Sequence, residues 1–309
     1  MQTDGQRRIV ELDFLKGILI LLMISFHLVW FADSHLYAKQ VVYTFHMPGF
    51  LIISGYLMNV GKPWQQFLKT LLSYAVPYLV MESGYIVMAS VLPIREHVDH
   101  LTVGVFFNHL LFHPLGPYWY LLTLLVCGVL YVAVFKLLRI SNLSRFIFLG
   151  ILFFAIAKGV GMISLSYALY FLAGVVVRHS GLKFTDVFKP SALAVLAFVL
   201  LAYFPQNCKP NVAGGVLMVY MAISSLLWIC GFVKGRLLQL LTYLGKRTLP
   251  LFLFSPMFTI LCKQLVPYLA FDPTCLIFLM VSLLICVSGS LAVDWVIRKS
   301  GLSRWLYVE

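Results

Sequence analysis

The stretch ELDFLKGILILLMISFHLVW, residues 11–30, is almost entirely apolar, yet Asp13 and Lys16 stand near its beginning and His27 near its end. About 20 mostly apolar residues are enough for a helix to cross the hydrocarbon core of a membrane. Ionisable side chains are costly inside a membrane and usually mark a functional site. The stretch therefore predicts a membrane-spanning helix that also carries a function.

The composition of the whole chain extends this prediction. Of its 309 residues, 61% are hydrophobic and 11% are charged, and the mean hydropathy is +0.95. Soluble domains have an apolar share of about 45–50%, so the soluble classes are excluded. We predict an all-α membrane protein, a single domain over residues 1–309, with about ten transmembrane helices. The predicted spans are 14–31, 41–58, 70–92, 118–135, 146–157, 162–177, 191–204, 214–233, 248–268 and 275–297.

The positions of the basic residues predict the orientation of these spans. The net charge is +12, which in a soluble protein would favour nucleic acid as a partner. With both termini in the cytoplasm, ten spans place 18 of the 23 Lys and Arg residues on the cytoplasmic side. Such an excess follows the positive-inside rule. The predicted partners of these charges are therefore membrane lipids and not nucleic acid, and we expect the first span to stay as an anchor helix.

Helical geometry relates the ionisable residues of the first span to one another. Lys16 and His27 are 11 residues apart, which is about three turns and about 16.5 Å along a helix, so they share a face but cannot contact each other. With Asp13 they form a polar stripe that suits an extended ligand with its anionic end near Lys16. Two simpler interpretations stay open: Lys16 anchors the helix at the lipid headgroups, and His27 is a hydrogen-bonded packing residue.

Two segments of the chain resemble a known family. ELDFLKGILILLMISFHL, with a basic residue, ten residues and a histidine in the first span, resembles the opening signature of acyltransferase family 3, the integral-membrane O-acyltransferases. FHMPGFLIISGYL, residues 45–57, resembles the fucose 4-O-acetylase-like branch of that family. The resemblance implies that His27 is the catalytic base and that Lys16 belongs to the acyl-donor path.

The second of these segments also has features of its own. Pro48 suits the first turn of a helix, where its missing N–H is not needed, and Ser54 and Gly55 permit close helix packing. We also predict that Ser54 lines the substrate chamber. His46 lies near the predicted outer face. It either touches an acceptor sugar or forms a hydrogen bond at the helix entry.

The third span departs from the family pattern. FLKTLLSYAVPYLV, residues 67–80, resembles a segment with two arginines before Pro-Tyr, but only Lys69 represents that basic pair. Lys69 then serves alone as the donor contact, or Lys246 and Arg247 replace the missing partner. Glu82, further along the span, is either protonated and packed or lines the substrate cavity.

Two later helix starts also resemble family segments. In GPYWYLLTLL, residues 116–125, Trp119 and Tyr120 are interface anchors by default, and the resemblance makes them candidates for the substrate chamber. LGKRTLPLFLFSPM, residues 244–257, lacks the histidine that commonly follows in the family, because Ser255 stands in that region.

The predicted outer loop between the third and fourth spans is rich in histidine. His97 and His100, and likewise His109 and His113, have helical spacings at which a metal could bind. Neither histidine pair has a cysteine or a carboxylate at a suitable spacing to serve as a third ligand. We therefore favour a solvated loop with a partly re-entrant helix at 101–112, and we expect no metal site.

The resemblance implies a function for the chain as a whole. It implies transfer of an acyl group, acetyl above all, from cytoplasmic acyl-CoA to a hydroxyl of a glycan or lipid-linked glycan of the cell envelope. The location would be a bacterial cytoplasmic (inner) membrane, with acyl-CoA as donor substrate and no permanently bound cofactor. An acyl-histidine intermediate stays open, as do two other functions: a glycan or lipid translocator, and a noncatalytic relative of the family.

Overall fold

The computed structural model describes residues 9–92 and 96–308, and within these residues the chain forms helices and no strand. Arg7, Arg8 and Arg95, which the predicted charge distribution includes, lie outside the described residues. The helices are, in chain order, α1 (Val10–His27), α2 (Val29–Ser34), α3 (Leu36–Leu57), α4 (Trp64–Val91), α5 (Val103–Leu111), α6 (Trp119–Leu137), α7 (Asn142–Ala155), α8 (Leu165–His179), α9 (Phe184–Val187), α10 (Ala192–Tyr203), α11 (Ala213–Cys230), α12 (Gly235–Lys246), α13 (Thr248–Leu261), α14 (Val266–Leu269), α15 (Leu276–Lys299) and α16 (Ser303–Leu306).

Six helical segments of the described residues are long and apolar enough to cross a membrane. They are Trp64–Val91, Gly116–Leu137, Asn142–Val160, Ala213–Cys230, Thr248–Leu269 and Leu276–Lys299. Each of the ten predicted spans contains a helix, but α8 and α10 have only 15 and 12 residues. The chain is thus a multi-pass helical membrane protein, while ten spans and the orientation of the termini stay predictions.

Two details of the predicted spans are wrong. The first span is not one helix, because Leu28 has an extended backbone (φ −74°, ψ 96°) that separates α1 from α2. Pro48 does not begin a helix, since α3 starts twelve residues earlier at Leu36. Proline inside a membrane helix is tolerated where neighbouring groups satisfy the freed carbonyl, and Pro77 and Pro256 also lie inside helices.

The chain divides into two compact units whose boundaries fall inside α3, α9 and α15. The first unit comprises residues 1–50 and 185–291, and α1 lies in its interior against α11, α12 and α13. Phe14, Leu15 and Ile24 of α1 are fully buried. A helix that is apolar all round packs on several sides, which explains the interior position of α1.

The second unit comprises residues 51–184 and 292–309, and α6 packs there against α4, α7 and α8. The aromatic rings of Tyr131, Phe153 and Phe171 are buried in its interior. Near the C-terminus, the Tyr307 hydroxyl donates a hydrogen bond to the Asp294 carboxylate over 2.9 Å, which fixes α16 against the end of α15.

Polar side chains at the loops fix where several helices begin. Ser141 accepts a hydrogen bond from the Ser144 N–H at the start of α7. The Asp272 carboxylate accepts the N–H groups of Ile277 and Thr274 before α15. These hydrogen bonds, that of Ile277 first, hold the pKa of the Asp272 carboxyl below its usual range. Capping of this kind satisfies amides that a helix start leaves without partners.

Candidate functional site

The polar stripe of α1 begins with an ion pair. Lys16 Nζ lies 2.8 Å from Asp13 Oδ1, one turn away on the same face, and both side chains are mostly buried. The pair stands in the first two turns of a helix whose other residues are largely apolar. Asp13 therefore holds the ammonium of Lys16 in place at the beginning of α1.

Helix α12 packs against the start of α1. Gly17 and Gly245 allow close contact of the two helices: a Cβ at Gly245 would overlap the Asp13 carbonyl oxygen, and one at Gly17 would overlap the carbonyl oxygen of Leu241. Since Lys246 and Arg247 follow Gly245 directly, they lie beside the start of α1. The sequence suggested these two residues as substitutes for a missing arginine, and the structure places them on the same side of the first unit as Asp13.

His27 is the last residue of α1 and is half-buried. Its Nδ1 lies 2.6 Å from the carbonyl oxygen of Met23, one turn earlier. A carbonyl oxygen only accepts hydrogen bonds, so Nδ1 carries a proton, and when the ring is neutral Nε2 holds the lone pair. As α1 is unbroken between Lys16 and His27, the predicted separation of about 16.5 Å along one face applies to the folded chain.

Tyr43 of α3 lies beside His27, and the sequence analysis missed it. Its ring centroid is 6.1 Å from that of His27 and 5.1 Å from that of His46. His46 is buried, and its Nδ1 lies 2.8 Å from the carbonyl oxygen of Val42. The i, i+3 spacing of Tyr43 and His46 on a helix was the available signal, but it does not reveal the proximity to His27.

In the second unit, three of the predicted chamber residues lie close together. The hydroxyls of Ser54 and Tyr120 are 3.0 Å apart, which joins α3 to α6. Trp119, adjacent to Tyr120, packs its ring against Tyr167 at a centroid distance of 4.7 Å. As predicted, α6 begins at Trp119. These hydroxyls and rings form one polar and aromatic group.

Glu82 holds the loop that leads into α6. Its Oε1 accepts a hydrogen bond from the Leu115 N–H over 2.6 Å, and Glu96 accepts the next amide, that of Gly116. Glu82 is fully buried, and its Oε2 has no hydrogen-bond partner among the described residues. The carboxyl group therefore fixes the backbone just before Trp119 and retains one unsatisfied oxygen.

The remaining predicted donor residue is Lys69. Lys69 is exposed on α4, within the first two turns of that helix. Two basic residues that the sequence analysis did not single out are more buried: Arg178 donates to the Tyr56 carbonyl over 2.9 Å, and His179 Nε2 lies 2.8 Å from the Tyr131 hydroxyl. Their position at the end of an apolar helix was the only sequence signal.

The outer-loop histidines take up local contacts. His97 and His100 are not on a helix, and His113 follows the end of α5 (Val103–Leu111), so neither pair presents a shared helical face. His109 Nδ1 lies 2.9 Å from the His113 carbonyl oxygen. Across the described part of the chain, no group of three or more His, Cys, Asp or Glu side chains is placed to hold a metal ion.

Of the predicted site residues, Asp13, Lys16, His27 and His46 thus belong to the first unit. The predicted residues of the second unit are Ser54, Lys69, Glu82, Trp119 and Tyr120.

Comparison with known proteins gives one match. The model of a family described as "Acyltransferase domain" matches residues 9–293, which is most of the chain and includes all of these residues. No curated protein and no solved structure matches the chain.

Proposed function

The chain belongs to this acyltransferase family, and from that membership and the geometry of α1 we propose that it is a membrane-embedded O-acyltransferase. In this proposal an acyl group, acetyl above all, passes from cytoplasmic acyl-CoA to a hydroxyl of a cell-envelope or surface glycan. The membrane would be a bacterial cytoplasmic membrane, and the chain would belong to the fucose 4-O-acetylase-like branch.

The observation that carries the proposal is the hydrogen bond between His27 Nδ1 and the Met23 carbonyl. It selects the tautomer with a basic Nε2, which is the form of histidine that removes a proton as a general base. It also fixes the ring plane relative to α1. This tautomer and this orientation support the proposed role of His27 as the base.

The proposed reaction moves one proton twice. Nε2 of His27 takes the proton of the acceptor hydroxyl while the hydroxyl oxygen attacks the thioester carbonyl carbon. The tetrahedral intermediate then breaks its carbon–sulfur bond, and the leaving CoA sulfur takes the proton from the imidazolium. The products are an ester of the glycan and free CoA, and the ring of His27 returns to its neutral form.

The donor would approach along the polar stripe of α1. CoA carries phosphate groups, and Lys16 with Lys246 and Arg247 supplies cations where α12 contacts the start of α1. The separation of about 16.5 Å between Lys16 and His27 leaves room for an extended donor. We assign Lys69, which is exposed, a lesser role in attracting the donor.

Candidate residues for contact with the acceptor occur in each unit. In the second unit, Ser54 and Tyr120 offer hydroxyls, Trp119 offers a ring face that suits a sugar, and Glu82 offers a buried carboxyl oxygen. In the first unit, the candidate is His46, whose ring lies beside that of Tyr43.

The proposal is tested by replacing His27 in membranes supplied with labelled acetyl-CoA. We expect His27→Ala to lower incorporation of label into glycan by about 10²- to 10⁴-fold, the usual contribution of a general base. His35→Ala is the matched control, because His35 forms the same bond to the carbonyl four residues earlier, that of Phe31 at 3.0 Å. Full activity of a normally expressed His27→Ala protein would contradict the proposal, while lost glycan display with normal acylation would favour a translocator.

A further inference from the structure

We propose that Tyr43 is a positioning residue for His27, acting through the carbonyl group at the end of α1 and through the ring that lies beside the imidazole. This inference rests on the proposed function of His27 and names a residue that controls its placement.

The end of α1 is a place where backbone groups need partners. A helix leaves its last four carbonyls without helical hydrogen bonds, and α1 ends at His27 because Leu28 takes an extended conformation. The Leu28 N–H bonds to the Ser25 carbonyl over 3.3 Å. The carbonyl of Phe26, which precedes His27, accepts a hydrogen bond from the Tyr43 hydroxyl over 3.0 Å.

This hydrogen bond ties His27 to another helix. Tyr43 is 17 residues from Phe26 and belongs to α3, whereas the bond of His27 Nδ1 to Met23 stays within α1. The main chain on the N-terminal side of His27 is therefore held by α3. Without the hydroxyl, this hydrogen bond between the end of α1 and α3 would be lost.

The ring of Tyr43 adds a second constraint. It is inclined by 35° to the ring of His27 and by 38° to that of His46, so it is tilted relative to both imidazole rings. His46 is buried and bound to its own helix through Val42. Because His46 is fixed in this way, the ring of Tyr43 limits the rotation of the His27 ring toward α3.

Placement of this accuracy matters for the proposed reaction. A general base has to lie within about 3 Å of the proton that it removes, and a displacement of about 1 Å can lower a rate by about 10²-fold. Binding of acyl-CoA near Lys16, about 16.5 Å along α1, does not depend on that placement. A positioning role therefore predicts an effect on kcat and not on the KM for acyl-CoA.

Tyr43→Phe tests this prediction, because it removes one oxygen and keeps the ring. In purified full-length protein we expect kcat to fall by about 10- to 100-fold, with the KM for acetyl-CoA unchanged. Tyr37→Phe is the matched control: Tyr37 lies on the same helix but is exposed, and its variant should keep the wild-type kcat. A variant that only loses folded protein would lower the yield and not kcat per folded molecule.

The outcomes separate this inference from the proposed function. If His27→Ala is inactive while Tyr43→Phe keeps the wild-type kcat, the positioning role is wrong and the function of His27 stands. If Tyr43→Phe instead raises the KM for acetyl-CoA and leaves kcat unchanged, the positioning role is also wrong. Activity of His27→Ala at the wild-type level would instead overturn the proposed function, whatever Tyr43→Phe shows.

Discussion

The ammonium of Lys16 and the carboxylate of Asp13 form an ordered ion pair at the start of the proposed donor path. Their atoms are 2.8 Å apart, and only 20% and 10% of the two side chains is exposed. An acidic residue in the first turn of a helix is favoured by the helix dipole, so Asp13 is stabilised there while it orients Lys16. An anionic ligand then meets a cation that is already ordered and loses less side-chain entropy on binding.

We predict that Lys16→Ala raises the KM for acyl-CoA by about tenfold and changes kcat little. A tenfold change corresponds to about 1.4 kcal/mol, close to the value of one hydrogen bond to a charged group. When an interaction stabilises the bound substrate and the transition state equally, its removal raises KM and leaves kcat unchanged. Steady-state kinetics with labelled acetyl-CoA in membranes measures both constants.

Lys263→Ala is the control for this variant, since Lys263 is exposed and lies beyond the end of α13. An unchanged KM in Lys16→Ala would show that Lys16 only anchors α1 at the headgroups.

At the level of elements, the contact of α1 with α12 holds the proposed donor site together. Both helices come close because each has a glycine at the contact, Gly17 on α1 and Gly245 on α12. Small residues allow such approach between membrane helices. The same contact brings Lys246 and Arg247 to the start of α1, so the packing of two helices determines where the cations lie.

Gly245→Ala is therefore expected to destabilise the first unit by about 1–3 kcal/mol, the usual cost of adding a methyl group to a tightly packed contact. The new Cβ would overlap the Asp13 carbonyl, and we also expect the KM for acyl-CoA to rise. Thermal unfolding in detergent, followed by circular dichroism, measures the loss.

Gly84→Ala is the matched control, because no atom lies within 4 Å of a Cβ built at Gly84 in α4. It should be neutral or stabilising, as alanine favours helix by about 1 kcal/mol over glycine. Equal melting temperatures of the two variants would contradict the close packing of α1 and α12.

At the level of the whole molecule, the number of membrane crossings depends on its shorter helices. Helices α8 and α10, with 15 and 12 residues, are about 22 Å and 18 Å long, whereas the hydrocarbon core is about 30 Å thick. Ten crossings require both of them to span with their flanking residues. The charge distribution supports this count, since basic residues collect on the side that ten crossings make cytoplasmic.

We predict that Asp99 and Asp186 lie on opposite sides of the membrane. In a chain whose six cysteines are replaced by alanine, Asp99→Cys should react with a membrane-impermeant maleimide in intact cells. Asp186→Cys should react only after the membrane is permeabilised. Both positions are exposed in the structure, so they form a matched pair, and labelling of both in intact cells would contradict ten crossings.

The sequence by itself determined the features that depend on neighbours along the chain. Hydropathy indicated the helices, and the spacing of Lys16 and His27 gave their shared face, because helical geometry relates residues that are close in sequence. Two predictions from local patterns were wrong, because contacts with residues distant in sequence also influence where a helix begins and ends. Pro48 lies inside α3 instead of at its start, and Leu28 interrupts the first span.

Only the tertiary structure showed which helices contact one another. Three of these contacts join residues that are far apart in sequence. They are the hydrogen bond from Tyr43 to Phe26, the close contact of Gly245 with Asp13, and the hydrogen bond from the Leu115 N–H to Glu82. Because most residues of every helix are apolar, hydropathy does not distinguish one packing partner from another. The fit of individual side chains and carbonyl groups decides these contacts, and with them the position of His27.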